Sequence, residues 1–282
     1  MNIRAWTGGA AGVLLLAVAG GMVWRGATSP PELAFELSEP ADDAPLPVPP
    51  IPPRIATGPD YEHCLAMLVP DVDGAAEFAE AWQARGGGDG AAHCLALSRI
   101  AQGDPAAGAA MLETLAAGSP APDLARASLF DQATQARLMI GDGPHAAADA
   151  AQALALAPDN PDLLVDGGIA AGAVGQYEPA VGDLSRALVL DPSRVDALTS
   201  RATDYRHLGQ LGRAQQDVDR ALGLDANNPE ALLERGILRQ RRDDLAGART
   251  DWERAARLAA GTPTADLAQQ NIALLDAGPD RR

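Results

Sequence analysis

Between Pro161 and Thr262 the apolar and small positions fall into three units of 34 residues, beginning at Pro161, Val195 and Pro229. Each unit holds two helical runs. The fourth position is leucine in every unit (Leu164, Leu198, Leu232), and the twenty-fourth is large (Leu184, Val218, Trp252). Small residues recur at the eighth position (Gly168, Ala202, Gly236), the twentieth (Ala180, Ala214, Ala248) and the twenty-seventh (Ala187, Ala221, Ala255). Small side chains on facing helices let two backbones approach, and larger ones fill the spaces between them. Gly175–Tyr177, Gly209–Leu211 and Asp243–Leu245 separate the runs and read as tight turns. Asn160-Pro161 and Asn228-Pro229 pair a helix N-cap with proline at the first helical position. Pro192 ends the helix that carries Ala187 to Leu190. A fixed period of this length predicts hairpins stacked into an array.

These residues resemble the tetratricopeptide repeat family, whose unit is a helix–turn–helix of about 34 residues. The likeness extends, with losses, to a unit beginning at Ala127, where Phe130, Thr134, Gly141, Ala146, Ala153 and Pro158 take the corresponding places. It implies an all-α fold, a right-handed superhelical α-solenoid of such units with a C-terminal capping helix. Of the family's aromatic at the eleventh position only Tyr205 remains; Arg137, Ala171 and Arg239 stand in the other units, and Ala226 and Ala260 replace the terminal proline.

In that family the first helix of each pair lines the inner curved face at its second, fifth, ninth and twelfth positions. Carried over, these are Asp162, Val165, Ile169 and Gly172; Asp196, Thr199, Thr203 and Arg206; and Glu230, Leu233, Ile237 and Gln240. The resemblance therefore implies a partner-binding groove made of Val165, Ile169, Thr199, Thr203, Arg206, Leu233, Ile237 and Gln240, suited to a peptide or a partner helix. Members that bind chaperones grip a terminal carboxylate with lysine at the fifth position and asparagine at the ninth. Valine, threonine and leucine at the fifth and isoleucine, threonine and isoleucine at the ninth set this chain apart from them.

Residues 1–25 predict an N-terminal membrane anchor or a signal peptide. Ala5 to Trp24 carries no charge, lies between Arg4 and Arg25, and is long enough for a helix across the bilayer core. Ala17-Val18-Ala19 would serve as a cleavage site under the second reading. The expected location is a single pass of the inner membrane with periplasmic repeats, or a secreted or periplasmic product after cleavage. Residues 26–59 hold ten prolines and read as an extended spacer, with a docking site for a proline-reading domain as the sharper alternative. Residues 60–126 read as four further helices of degenerate repeat character, 127–262 as the repeats proper, and 263–277 as the cap, with Leu267, Ala268, Ile272 and Leu275 forming an apolar stripe.

Cys64 and Cys94 stand in matching contexts, Glu62-His63-Cys64-Leu65-Ala66 and Ala92-His93-Cys94-Leu95-Ala96, on first helices of successive pairs. An oxidising compartment would join them in a disulfide. The alternatives are two buried free thiols, or a metal- or thiol-active site made with His63 and His93. Neighbouring helical residues point about 100° apart, which disfavours convergence of each His-Cys pair on one ion.

The net charge of −16 lies wholly in residues 1–193; residues 194–282 hold as many arginines as acids, and lysine is absent. Such a balance argues against nucleic-acid binding. Arg235, Arg239, Arg241 and Arg242 cluster beside Asp243 and Asp244 as a solvated face or an anion patch. No nucleotide loop, HExxH, GxSxG or paired CxxC occurs. The expectation is a non-enzymatic scaffold or client-holding module of the cell envelope, with a protein or peptide partner, an inner-membrane contact, no cofactor, no resident metal and no small-molecule substrate.

Overall fold

The computed structural model of the chain describes residues 54–277. Among these residues the structure is wholly helical: α1 Pro59–Met67, α2 Val72–Ala84, α3 Gly88–Ala101, α4 Pro105–Gly118, α5 Asp123–Met139, α6 Gly143–Leu156, α7 Pro161–Ala173, α8 Tyr177–Leu190, α9 Val195–His207, α10 Leu211–Leu224, α11 Pro229–Gln240, α12 Leu245–Leu258 and α13 Pro263–Ala277. Each helix packs on the next in chain order, so the array is a stack of antiparallel pairs.

Helices α7, α9 and α11 begin at the residues that open the three sequence units. Asn160 accepts hydrogen bonds from the backbone N–H groups of Asp162 (2.9 Å) and Leu163 (3.2 Å), and Asn228 accepts from Ala231 (2.8 Å). Both act as N-caps with proline just inside. Helix α5 starts at Asp123, four residues ahead of the Ala127 unit. Pro122 opens it, and Arg126 is tied by its Nε–H to the carbonyl of Ala116, 2.8 Å away.

Within a pair the small and large positions meet. Gly168 lies so close to α8 that a Cβ there would stand 2.5 Å from Leu184 Cγ, and Gly236 is pressed in the same way against the Trp252 indole. Leu164, Leu184, Leu198, Val218, Leu232 and Trp252 are fully buried together with Ala187, Ala202, Ala214, Ala221, Ala248 and Ala255 in one continuous core. Ala180 is equally buried. The Trp252 Nε1–H donates to the Leu233 carbonyl at 3.2 Å, so the largest filler leaves no polar atom orphaned. Ala268 of α13 joins the same core, with Ile272 and Leu275 packed against it.

The turns inside the pairs share one device. The N–H of the residue that follows the turn returns to a carbonyl five residues earlier, as in Gln176 to Ala171, Gln210 to Tyr205 and Asp244 to Arg239. This closure needs a left-handed residue. Gly175 (φ 78°) and Gly209 (φ 72°) supply it, and in the last pair Asp243 (φ 61°) takes the same conformation without being glycine.

The anchor segment, residues 5–24, and most of the proline-rich spacer lie outside the described residues. Among those described, no helix is long and apolar enough to cross a membrane. The longest, α5, has 17 residues and carries Asp123, Arg126, Asp131 and Arg137. The expected location in the inner membrane with periplasmic repeats, and the contact with that membrane, are corrected on this ground, because no helix of the array offers the twenty or so apolar residues a span requires.

Two substitutions test this packing. Gly168→Ala forces the Leu184 side chain aside and is expected to destabilise the array by about 1–3 kcal/mol. Asp243→Gly relieves a left-handed residue and is expected to stabilise by up to about 1 kcal/mol, the strain relieved being partly offset by chain entropy. Thermal unfolding followed by circular dichroism checks both signs.

Candidate functional site

The first helices of successive pairs touch one another: α1 with α3, α5 with α7, α7 with α9, and α9 with α11. The second helices form no comparable contacts. First helices therefore lie toward the inner side of the stack, and the expected groove positions are all on first helices.

The structure sorts those positions into two kinds. Ile169, Thr203, Arg206, Leu233, Ile237 and Gln240 are half-buried, and Ile169 and Thr203 line a recess between α7 and α9. Val165 is 1% exposed and Thr199 7%, with the Thr199 hydroxyl donating to the Val195 carbonyl at 2.8 Å. These two form the floor beneath the lining. Arg206 donates from Nε to Glu234 Oε1 at 2.5 Å, so its guanidinium is already engaged by α11. Asp162 and Asp196, at the second positions, both pair with Arg194.

Between α7 and α9 the inner side dips into a recess of about 250 Å³, lined by Ile169, Gly172, Ala173 and Tyr177 on one side and Ser200, Thr203, Asp204 and His207 on the other. The Tyr177 and His207 rings stack 4.5 Å apart and 7° from parallel, making one flat wall. Asp204 is 4% exposed. Gly172 permits its approach, since a Cβ there would stand 2.8 Å from Asp204 Oδ1. Burial, opposed by Arg206 and reinforced by Glu234, pushes the Asp204 carboxyl up to about 7. One pair closer to the N-terminus, Asp131 of α5 and Asp166 of α7 face the same side, and Gln135 Nε2 donates to both carboxylates, at 3.2 and 2.8 Å. Burial, with the neighbouring carboxylates adding to it, holds the Asp131 carboxyl above the ordinary range, and burial raises Asp166 against its hydrogen bonds.

Asp204 gave no sequence signal because it occupies the tenth position, outside the expected lining. Another set of aspartates does recur, at the twenty-third position: Asp149, Asp183, Asp217 and Asp251. Asp217 binds Arg201 through both oxygens (2.7 and 2.8 Å), and Asp251 binds Arg235 and Arg239. Asp149 accepts from Arg137, which is 9% exposed and also reaches Glu113 and Asp142. In the units of Arg137 and Arg239, arginine at the eleventh position thus replaces the family's aromatic with an ion pair to this aspartate. Two of the four clustered arginines, Arg235 and Arg239, are consumed in the same way; Arg242 reaches Gln215 at 2.8 Å.

Cys64 and Cys94 are joined by a disulfide, with Cα atoms 6.2 Å apart. His63 packs edge-on against Phe78. His93 is buried, its Nε2 donating to Gln132 (2.7 Å) and its Nδ1 accepting from the Tyr61 hydroxyl (2.6 Å). Of the four residues of the metal reading, the two sulfurs are bonded to each other and the two histidines have separate partners, and among the described residues no group of three metal-ligating side chains converges. The Gly86–Gly88 run closes α2 and opens α3.

Two outcomes check this geometry. For the disulfide, which closes a 30-residue separation, reduction is expected to remove about 3–4 kcal/mol from α1–α3, seen as faster amide exchange there than in α7–α12. For Asp204 the folded-state value lies above the ordinary 3.8, so its cost to stability is absent below about pH 4, grows between pH 4 and 7, and is full above 7. Asp204→Asn is therefore expected to raise the melting temperature at pH 8 and to leave it unchanged near pH 4.

No protein-family model matches the chain. No curated protein sequence matches it significantly either. Solved structures do share its fold. A chain of the APC/C hetero-tetramer Cut9–Hcn1 superposes with a TM-score of 0.58 at 16% identity, over 75% of this chain and 42% of that one. TTC0263, a thermophilic TPR protein of Thermus thermophilus, gives 0.53 at 19% identity, over 66% and 98%. MamA from Desulfovibrio magneticus RS-1, from its residue 41 to the end, gives 0.52 at 18% identity, over 62% and 97%. At these identities the likeness concerns the path of the backbone alone. The 34-residue period, the helix pairs that begin on it and these superpositions agree: the chain has the tetratricopeptide repeat fold.

Proposed function

We propose that the array is a protein–protein interaction module, a scaffold or client-holding protein rather than an enzyme, which takes a peptide or partner helix along the inner side of α7, α9 and α11. The observation that carries this reading is the half-buried set of Ile169, Thr203, Leu233, Ile237 and Gln240 on three successive first helices, of which Ile169 and Thr203 line the recess between α7 and α9. Apolar anchors flanked by polar groups suit the alternating side chains of an extended segment or the i, i+3 and i+4 face of a helix. Val165 and Thr199 act beneath this row by fixing its floor. The proposal carries no envelope setting, since that expectation rested on residues 1–25. The metal- or thiol-using alternative has little support: its two sulfurs are bonded to each other, and His93 is spent on Tyr61 and Gln132.

Partners captured by the full-length chain are expected to be lost, by about tenfold or more in affinity, when Ile169 or Ile237 is replaced by glutamate, because each change sets a charge in the apolar row. Gln216→Glu, on the exposed side of α10, is the control and is expected to retain them. Retention of every partner by both isoleucine variants, with helicity intact, would sink the reading.

A further inference from the structure

The buried acids of this array are, with one exception, given a cation or a donor. Asp149, Asp217 and Asp251 each hold an arginine, Glu234 holds Arg206, and Asp131 and Asp166 share Gln135. The half-buried Asp183 lies beside Arg186. Asp204 is the exception: it is 4% exposed, and among the described residues no side-chain or backbone donor is hydrogen-bonded to its carboxylate. On the facing turn of α7 stands Gly172, which has no side chain to answer it.

Among the described residues no sealed side-chain oxygen lacks a partner, so the unpaired Asp204 oxygens open onto the recess, and a carboxylate largely withdrawn from water with no donor is costly. The charges around it do not fill the role. From its own helix, the Arg206 guanidinium is turned to Glu234, with His207 Nε2 within 3.2 Å of its Nη2. From α8 comes only the uncharged Tyr177, and from α11 the acid Glu234. The walls of the recess are apolar where Ile169, Ala173 and the Tyr177 ring stand, which suits an aliphatic stem, and its end is anionic. A volume of about 250 Å³ holds one long side chain and excludes a folded element.

We propose that the recess between α7 and α9 is a specificity pocket for one arginine or lysine side chain of the bound polypeptide, whose cationic head pairs with Asp204 while its stem lies along Ile169, Ala173 and Tyr177. This rests on the groove reading above and adds the chemistry of the partner to it. An arginine would meet both carboxylate oxygens at once; a lysine would meet them as a point charge. The countercharge withheld within the fold is supplied by the ligand, so the pocket discriminates more than it stabilises.

The test uses the full chain at pH 8 and four pools of fluorescein-labelled nonapeptides. Their central residue is fixed as arginine, lysine, glutamine or glutamate, and the other positions are mixtures of alanine, leucine, serine and glycine; anisotropy reads binding. The arginine and lysine pools are expected to bind about tenfold more tightly than the glutamine pool, and the glutamate pool more weakly still. Asp204→Asn should erase the difference while leaving the glutamine pool unchanged, and Gly172→Ala, which sets a methyl against Asp204, should reduce it. Equal binding of all pools, or a preference that survives Asp204→Asn, overturns the proposal. If the pools bind equally and Ile237→Glu still weakens all of them, the pocket falls and the groove stands; if no pool binds, both fall. Capture of free arginine amide as tight as that of the peptides also overturns it, since the site would then serve a small amine.

Discussion

How near two helical backbones can come decides everything else in this array. A pair closes because Gly168 or Gly236 withdraws where Leu184 or Trp252 advances, so the seam is filled without bending either helix. The Ala202 seam keeps the same rule with the smaller Val218. The total bulk is allowed to vary, from glycine with tryptophan to alanine with valine, while the position of the bulk is not. Pairs held at one spacing can stack in one register, and stacking in one register is what lines up the inner faces of α7, α9 and α11. The lining residues owe their neighbours to this seam, against which Ile169, Leu233 and Ile237 pack.

Electrostatics follows the same economy with more freedom. The aspartate at the twenty-third position stays in place, and the guanidinium that answers it comes from the seventh position in the unit of Arg201, from the eleventh in that of Arg137, and from both beside Asp251. A long flexible cation can reach one carboxylate from either turn of the first helix, so in three of the four units the sequence drifts while that ion pair persists; in the Pro161 unit, with Gly167 and Ala171 at those positions, Asp183 has Arg186 of its own helix instead. Tyr205 keeps the eleventh-position aromatic in the unit where Arg201 supplies the charge, and the guanidinium carbons of Arg201 and Arg213 each lie 5.6 Å from its ring centre.

Much of the fold was legible because the residues that carry it are punctuated. Asparagine–proline at Asn160 and Asn228, glycine at Gly175 and Gly209, and alanine at the seams each have a local physical meaning that does not depend on distant partners. The left-handed Asp243 was readable only as the member of an aligned set of turns. The early start of α5 was hidden because Pro122 opens that helix four residues ahead of the repeat spacing. The site was harder. Position rules placed Val165 and Thr199 at the surface, and the structure sinks them, since burial at the fifth position depends on the side chains of the neighbouring first helix. Asp204 was invisible for the same reason: what marks it is the missing side chain at Gly172, on the preceding first helix. Cys64 and Cys94 could be matched by context, although their bond depends on α1 and α3 lying side by side.

One further contact runs through the array. At the twenty-sixth position Arg186 reaches the Pro158 carbonyl (2.6 Å) and Asp159, Arg220 reaches the Pro192 carbonyl, and Arg254 reaches Asn227 (2.5 Å). Each arginine, on the second helix of its unit, fastens the loop that leads into that unit. This one fastening therefore comes to each joint from its carboxyl-terminal side, beside the pairs that Arg194 makes to Asp162 and Arg206 to Glu234. During synthesis this latch closes only once the following hairpin has emerged and folded, and loosening that begins at the last unit releases the latches one after another, so this set of fastenings has a direction along which it sets and comes undone.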